Sequence, residues 1–179
     1  MNLQFQKFRG EVDHLVRFLT SQSWDYHSVP KPGADQIRKL AEKGYYHSRK
    51  NITFWIQSDS REKMGLFRIY DVEDSTPMFD IRILNLYRKR GIGERAVRWM
   101  TRYVFTQFPH TIRFEGHTRQ DNYPMRKVLH KCGFVKEAYH RQAWPSAEGK
   151  LYDSVGYSIT REDWEHHKRT PVVWDDWKY

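Results

Sequence analysis

At 179 residues the chain has the size of one domain, large enough to bury a core without disulfides or metals. Hydrophobic residues at 39% and charged ones at 30% fit a water-soluble globular protein, and no apolar run approaches the ~18 residues of a membrane span. The net charge of +9 favours an anionic ligand; the single cysteine, Cys132, excludes an internal disulfide, and no Cys/His cluster has zinc spacing, so no metal is expected.

Leu3 and Phe5 alternate with Gln4 and Gln6, predicting a strand over 3–8. Val12, Leu15, Val16 and Leu19 recur at helical spacing, so a helix should run to about residue 21. The prolines and glycine of 24–33 mark a loop, and Ile37, Leu40 and Ala41 a second helix that stops near Gly44. Residues 52–57 and 64–72 read as strands joined by a polar hairpin at 58–63. A strand over 78–84 leads into a basic glycine loop and a long helix reaching residue 108. A strand at 111–117, a helix at 122–132 and strands at 135–143 and 151–159 follow. Thr160-Arg161-Glu162-Asp163 resembles a capping box and predicts a short last helix. No repeat, low-complexity segment or linker divides the chain, so a single domain is expected over 1–179, with an aromatic tail at 170–179. Strands alternating with helices give an α/β (α+β) class around a mixed central sheet.

The most informative stretch is Arg88-Lys89-Arg90-Gly91-Ile92-Gly93, between the strand and the long helix. A glycine loop that opens a helix presents free backbone N–H groups at the positive end of the helix dipole, which suits a phosphate. Glycine lets the backbone approach a ligand with no Cβ in the way. The Gly-Lys-Ser/Thr ending of a triphosphate loop is missing, as are the third glycine and distant acid of a dinucleotide fold.

Residues 81–93 instead resemble the Arg/Gln-x-x-Gly-x-Gly/Ala acetyl-coenzyme A motif of the GCN5-related N-acetyltransferases (GNAT). Asn122 to Glu137, with Lys131-Cys132-Gly133-Phe134, resembles the later coenzyme motif of that family, and 153–164 its last strand in the RimJ/RimL-like branch. The resemblance implies a mixed sheet of about seven strands, splayed after the fourth and flanked by about four helices. Backbone groups of Ile83 and Leu84 in the splay should hold the pantetheine arm of acetyl-CoA. Main-chain N–H groups of the loop (Lys89, Arg90, Gly91, Ile92, Gly93, Glu94) should hold the diphosphate, assisted by the side chains of Arg88, Lys89, Arg90 and Arg95. Asn122 is a helix cap by residue type; the family position implies a contact to pantetheine as well.

The family's serine is Met125 here and its tyrosine acid is Leu129, so the general acid is missing; Tyr123, His130 or a water are substitutes, or the thiolate leaves unaided. Glu115 and His117 project from one face of a strand feeding the splay, and His117 is the first candidate base, Glu115 the second. The alternative is that both are solvated or paired with Arg113 and Arg119. Cys132 reads as a small core residue. Trp24, Tyr26 and Trp55, with Tyr45 and Tyr46, precede the coenzyme motifs where the family builds its acceptor cleft. Trp174 and Trp177 pack back onto the domain or make a homodimer contact.

The expected activity is transfer of acetyl from acetyl-CoA to a primary amine, either a peptide N-terminus or a small molecule, in the cytoplasm. A catalytically weak acetyl-CoA-binding or RNA-associated module is the rival reading. Basic residues are interspersed with acidic ones and no block of five or six appears, so neither a nucleic-acid nor a membrane partner is expected.

Overall fold

In the computed structural model, which describes residues 2–174, the elements follow the apolar periodicities closely. They run β1 (Gln4–Lys7), α1 (Val12–Thr20), α2 (Ala34–Glu42), β2 (Ile52–Gln57), β3 (Lys63–Tyr70), β4 (Met78–Ile83), α3 (Ile92–Gln107), β5 (Arg113–Arg119), α4 (Tyr123–Lys131), β6 (Val135–Pro145), β7 (Leu151–Thr160) and α5 (Arg161–Glu165). A 3-10 turn at Asn85–Tyr87, not foreseen, fills the space between β4 and the glycine loop. Its three residues lack the repeat length that a periodicity can reveal.

All seven strands form one sheet in the order β1-β2-β3-β4-β5-β7-β6. The neighbours are antiparallel except β4 and β5, which are parallel. One apolar cluster lies under α3 and α4, built on Phe67, Phe79, Val97, Met100 and Phe114. A second, with Leu15, Phe18, Leu19, Trp24, Ile37 and Trp55, lies under α1 and α2. Helices therefore cover both faces, and β2 is buried along its whole length. Burying each large apolar side chain contributes about 1.5–3 kcal/mol, so both faces are needed to hold the sheet.

Thr160 caps α5 as its sequence predicts, accepting a hydrogen bond from the Asp163 N–H at 3.1 Å. Asp163 does not reach back; its carboxylate instead accepts from the Thr170 hydroxyl and N–H and anchors the segment beyond α5. Trp174 borders a groove beside His130 and Lys136, and Trp177 lies outside the described residues. Among the described residues no helix is long and apolar enough to cross a membrane.

What positions the site is the short β4–β5 ladder. It consists of Met78 opposite Glu115 and Phe79 opposite Gly116, and then the strands part. From Asp80 onward the β5-facing backbone groups of β4 have no strand partner, although the β3 side stays paired to Ile83. Unpaired ladder groups normally find another partner.

Candidate active site

Two features meet at the C-terminal end of β4: a helix N-terminus and the strand split. Gly91 is the N-cap of α3 and sits in the left-handed region at φ +75, which L side chains resist. Nothing lies within 4 Å of where its Cβ would be, so the space above the loop is open. The first helical bond, Arg95 N–H to Gly91 carbonyl at 3.2 Å, leaves the N–H groups of Ile92, Gly93 and Glu94 ahead of the ladder. With 16 residues behind it, α3 carries a full dipole.

The basic side chains divide. Arg88 Nε donates to the Ile83 carbonyl at 3.0 Å, and the Arg90 guanidinium lies 5.6 Å from the Tyr87 ring. Both are turned toward their own chain, so the loop's backbone is the better oriented donor set. Lys89 is exposed with φ +60, and Arg95 is exposed on the first turn of α3. Glu94 faces away from the loop: hydrogen bonding from Arg98, then Lys131, holds its carboxyl below the usual range. Leu84, which follows β4 and caps the Asn85–Tyr87 turn, is half-buried, its N–H bonded to the Met64 carbonyl at 3.0 Å.

A cavity of about 90 Å³ occupies the split, lined by Phe79, Asp80 and Ile81 of β4, Gly116, His117 and Thr118 of β5, and Asn122, Met125 and Leu129 of α4. Tyr26, His27 and Trp144 close its other side. Asn122 uses both ends of its amide: Oδ1 accepts from the Met125 N–H at 3.3 Å and Nδ2 donates to Thr118 Oγ1 at 2.9 Å. It thus ties α4 to β5 at the cavity wall.

His117 lines the cavity, with Nε2 3.4 Å from Glu115 Oε2 and its ring stacked on His140 at 6.2 Å. Glu115 is also paired with Arg113 Nε at 2.9 Å, so the pairing and the base reading coexist at one carboxylate. The aromatic residues separate. Trp24 and Trp55 are fully buried in the α1–α2 core, Trp24 donating Nε1–H to the Leu19 carbonyl at 2.8 Å. Arg68 packs over Tyr45 at 3.6 Å, Tyr46 is buried, and Tyr26 alone of the five lines the cavity. Neither Tyr123, 70% exposed, nor His130, which is packed against Arg169, lines it. Cys132 is buried, its Sγ 3.5 Å from the Glu94 carbonyl, and burial pushes the thiol up to about 11.

His27 was not anticipated. Burial, then the Arg82 charge, drives its pKa down to about 3, so it is neutral beside the cavity at pH 7. A histidine in a proline-bordered loop has no spacing that would have linked it to β4.

A family profile for the acetyltransferase (GNAT) domain matches residues 2–135, three quarters of the chain. The chain belongs to the GNAT acetyltransferase family. That places it among acetyl-CoA-dependent N-acetyltransferases, with acetyl-CoA as donor. The GNAT fold is repeated in solved structures. A spermidine N-acetyltransferase chimera from Vibrio cholerae and hSSAT superposes with TM-score 0.80 at 17% identity, covering 92% of this chain and 99% of that one. The Vibrio cholerae spermidine N-acetyltransferase in complex with CoA and spermine gives 0.76 at 17% identity, covering 91% and 98%. No curated protein matches the sequence. The GNAT donor fits the residues present: open space over a left-handed Gly91, free helix N–H groups, and a β4 edge with no strand partner beside the cavity.

Proposed function

We propose that this protein transfers acetyl from acetyl-CoA to a primary amine of a peptide N-terminus or small molecule, and that it is a RimJ/RimL-like member of its family. The observation that carries this reading is the strand split: β4–β5 pairing stops after Phe79–Gly116, leaving a β4 edge and a cavity next to the α3 N-terminus. The run 153–164, which forms β7 and α5, supports the branch.

Main-chain N–H groups from Lys89 to Glu94 would hold the diphosphate, with Arg88, Lys89, Arg90 and Arg95 adding charge. Backbone groups of Ile83 and Leu84, and Asn122, would hold the pantetheine arm. When bound, acetyl-CoA supplies an acetyl group already activated as a thioester. The protein's own contribution is then positioning and proton removal. His117, oriented by Glu115, takes the proton from the ammonium so that a neutral amine reaches the cavity. Tyr26 brings a phenol to the same space, in the absence of hydroxyls at Met125 and Leu129. A polyamine such as the spermine in the Vibrio cholerae complex is opposed by the net charge of +9.

The test is steady-state thiol release from acetyl-CoA against a panel of peptides, amino acids and simple amines, with product mass confirming N-acetylation. Turnover that depends on the amine supports the reading. Thiol release that no amine accelerates would reject it.

A further inference from the structure

Cations that the sequence spreads along the chain collect on one face of the fold. A groove of about 810 Å³ runs between α3, the C-terminal end of α4 and α5, and Arg98, Arg102, Lys131, Lys168 and Arg169 line it. A second groove of about 480 Å³, lined by His130, Lys136 and Trp174, adjoins the first and shares Arg169 with it. All of these basic residues are exposed. They come from α3, α4, β6 and the segment after α5, so runs of like charge along the chain do not reveal the patch. The two acids on the groove walls are already engaged. Asp163 is buried and accepts from the Thr170 hydroxyl at 2.7 Å and the Thr170 N–H, and Glu165 is paired with Arg161 at 3.2 Å. Arg98 and Lys131 share one acid, Glu94, at 3.1 and 3.6 Å. Among the described residues no carboxylate lies within ion-pair distance of Arg102, Lys136, Lys168 or Arg169. A cluster of one sign concentrates field and attracts a polyanion.

Each groove also carries an indole. Trp164 is half-buried, with its ring 5.2 Å from Phe105, and lines the first; Trp174 is 62% exposed and borders the second. Cations alone suit any polyanion, but flat aromatic surface among them suits one that carries unpaired bases. The side chains of an acidic peptide would answer the charges and give the indoles nothing flat to stack on. We infer that this face binds single-stranded nucleic acid, its phosphates on Arg102, Lys168 and Arg169 and its bases stacked on Trp164 and Trp174. The two grooves share no lining residue with the β4–β5 cavity, so the site is separate from the one proposed for acetyl transfer.

Fluorescence anisotropy tests this with a labelled mixed-sequence RNA of about 12 nucleotides, the same sequence as single-stranded DNA, and its RNA duplex. Four or so phosphate contacts to a single strand predict a log–log salt slope of about −3, an affinity loss of about 50-fold between 50 and 200 mM salt. The double variant Arg102→Glu, Lys168→Glu should bind at least ~10-fold more weakly and roughly halve the slope. Trp174→Ala should weaken binding about 5-fold or more at every salt concentration with the slope unchanged, because it removes stacking and no charge. Both substitutions fall on exposed side chains, and thermal melting checks the fold of each protein. The tighter of RNA and DNA identifies the natural strand. Unchanged affinity in either folded variant, or a duplex bound as tightly as the single strand, would overturn the inference. An acidic peptide of equal charge that displaces the RNA at equal concentration would overturn it in favour of an acidic protein partner. Displacement of the RNA by coenzyme A would overturn it too, by making the groove part of the donor site.

Discussion

The ring of Phe79 lies against Gly116 so closely that a Cβ on residue 116 would stand 2.8 Å from Phe79 Cε1. These two residues are also the last rung of the β4–β5 ladder. The absent side chain at 116 admits the ring, and the ring, packed at 5.0 Å on Phe114, stands where the strands begin to part. Glycine here serves close packing, whereas Gly91 serves a left-handed turn.

Gly116→Ala should therefore destabilise by about 1–3 kcal/mol through overpacking, because a Cβ at residue 116 would meet the Phe79 ring at 2.8 Å. Thermal denaturation should register a fall of roughly 2–4 °C per kcal/mol. A melting point equal to wild type would show that the ring is free to move.

His27 predicts an acid-sensitive fold. Its pKa falls from the ordinary 6.5 to about 3 on folding, so between those values the unfolded chain binds a proton that the folded one refuses. Stability should then drop as pH falls below about 6.5, by up to ~1.4 kcal/mol per pH unit from this group. Denaturant midpoints at pH 7 and pH 5 measure it, and His27→Gln should flatten the slope in that window. Glu94 and Asp153, whose carboxyl values are lowered, lose their contributions only at more acidic pH.

Cys132 should alkylate slowly at pH 8, where its buried thiol, shifted to about 11, is almost wholly protonated. Cys132→Ala should keep full acetyl transfer at a cost of about 1 kcal/mol in stability. Loss of transfer with intact coenzyme binding would instead indicate a covalent acyl-cysteine step.

The base assignment makes its own demand. His117→Ala should lower kcat about 100-fold and remove the acidic limb of the pH profile, with little change in coenzyme affinity. Wild-type kcat with the same limb would transfer the role to Glu115 or to a water.

The fold was legible because its signals are local and repeated: Leu15, Val16 and Leu19 on one helix face, Thr160 as a true N-cap. The donor-side motifs were legible for the same reason, being contiguous in the chain. The acceptor side was not. Trp24 and Trp55 carry the same apolar bulk whether they line a pocket or fill a core, and the structure uses both for packing. His27 and Arg82 come together only through the fold, 55 residues apart in sequence, and no periodicity links a loop histidine to a strand arginine.

Calorimetric titration of coenzyme A into wild-type and Gly91→Glu protein tests the central claim most directly. A carboxylate at residue 91 enters open space beside the free N–H groups of α3, where the diphosphate is proposed to sit. A left-handed non-glycine residue costs only about 1–2 kcal/mol, so the fold should survive. The account predicts tight binding to wild type and a loss of about 100-fold or more in the variant, from like-charge repulsion and a blocked approach. An unchanged dissociation constant in a folded Gly91→Glu protein would contradict it.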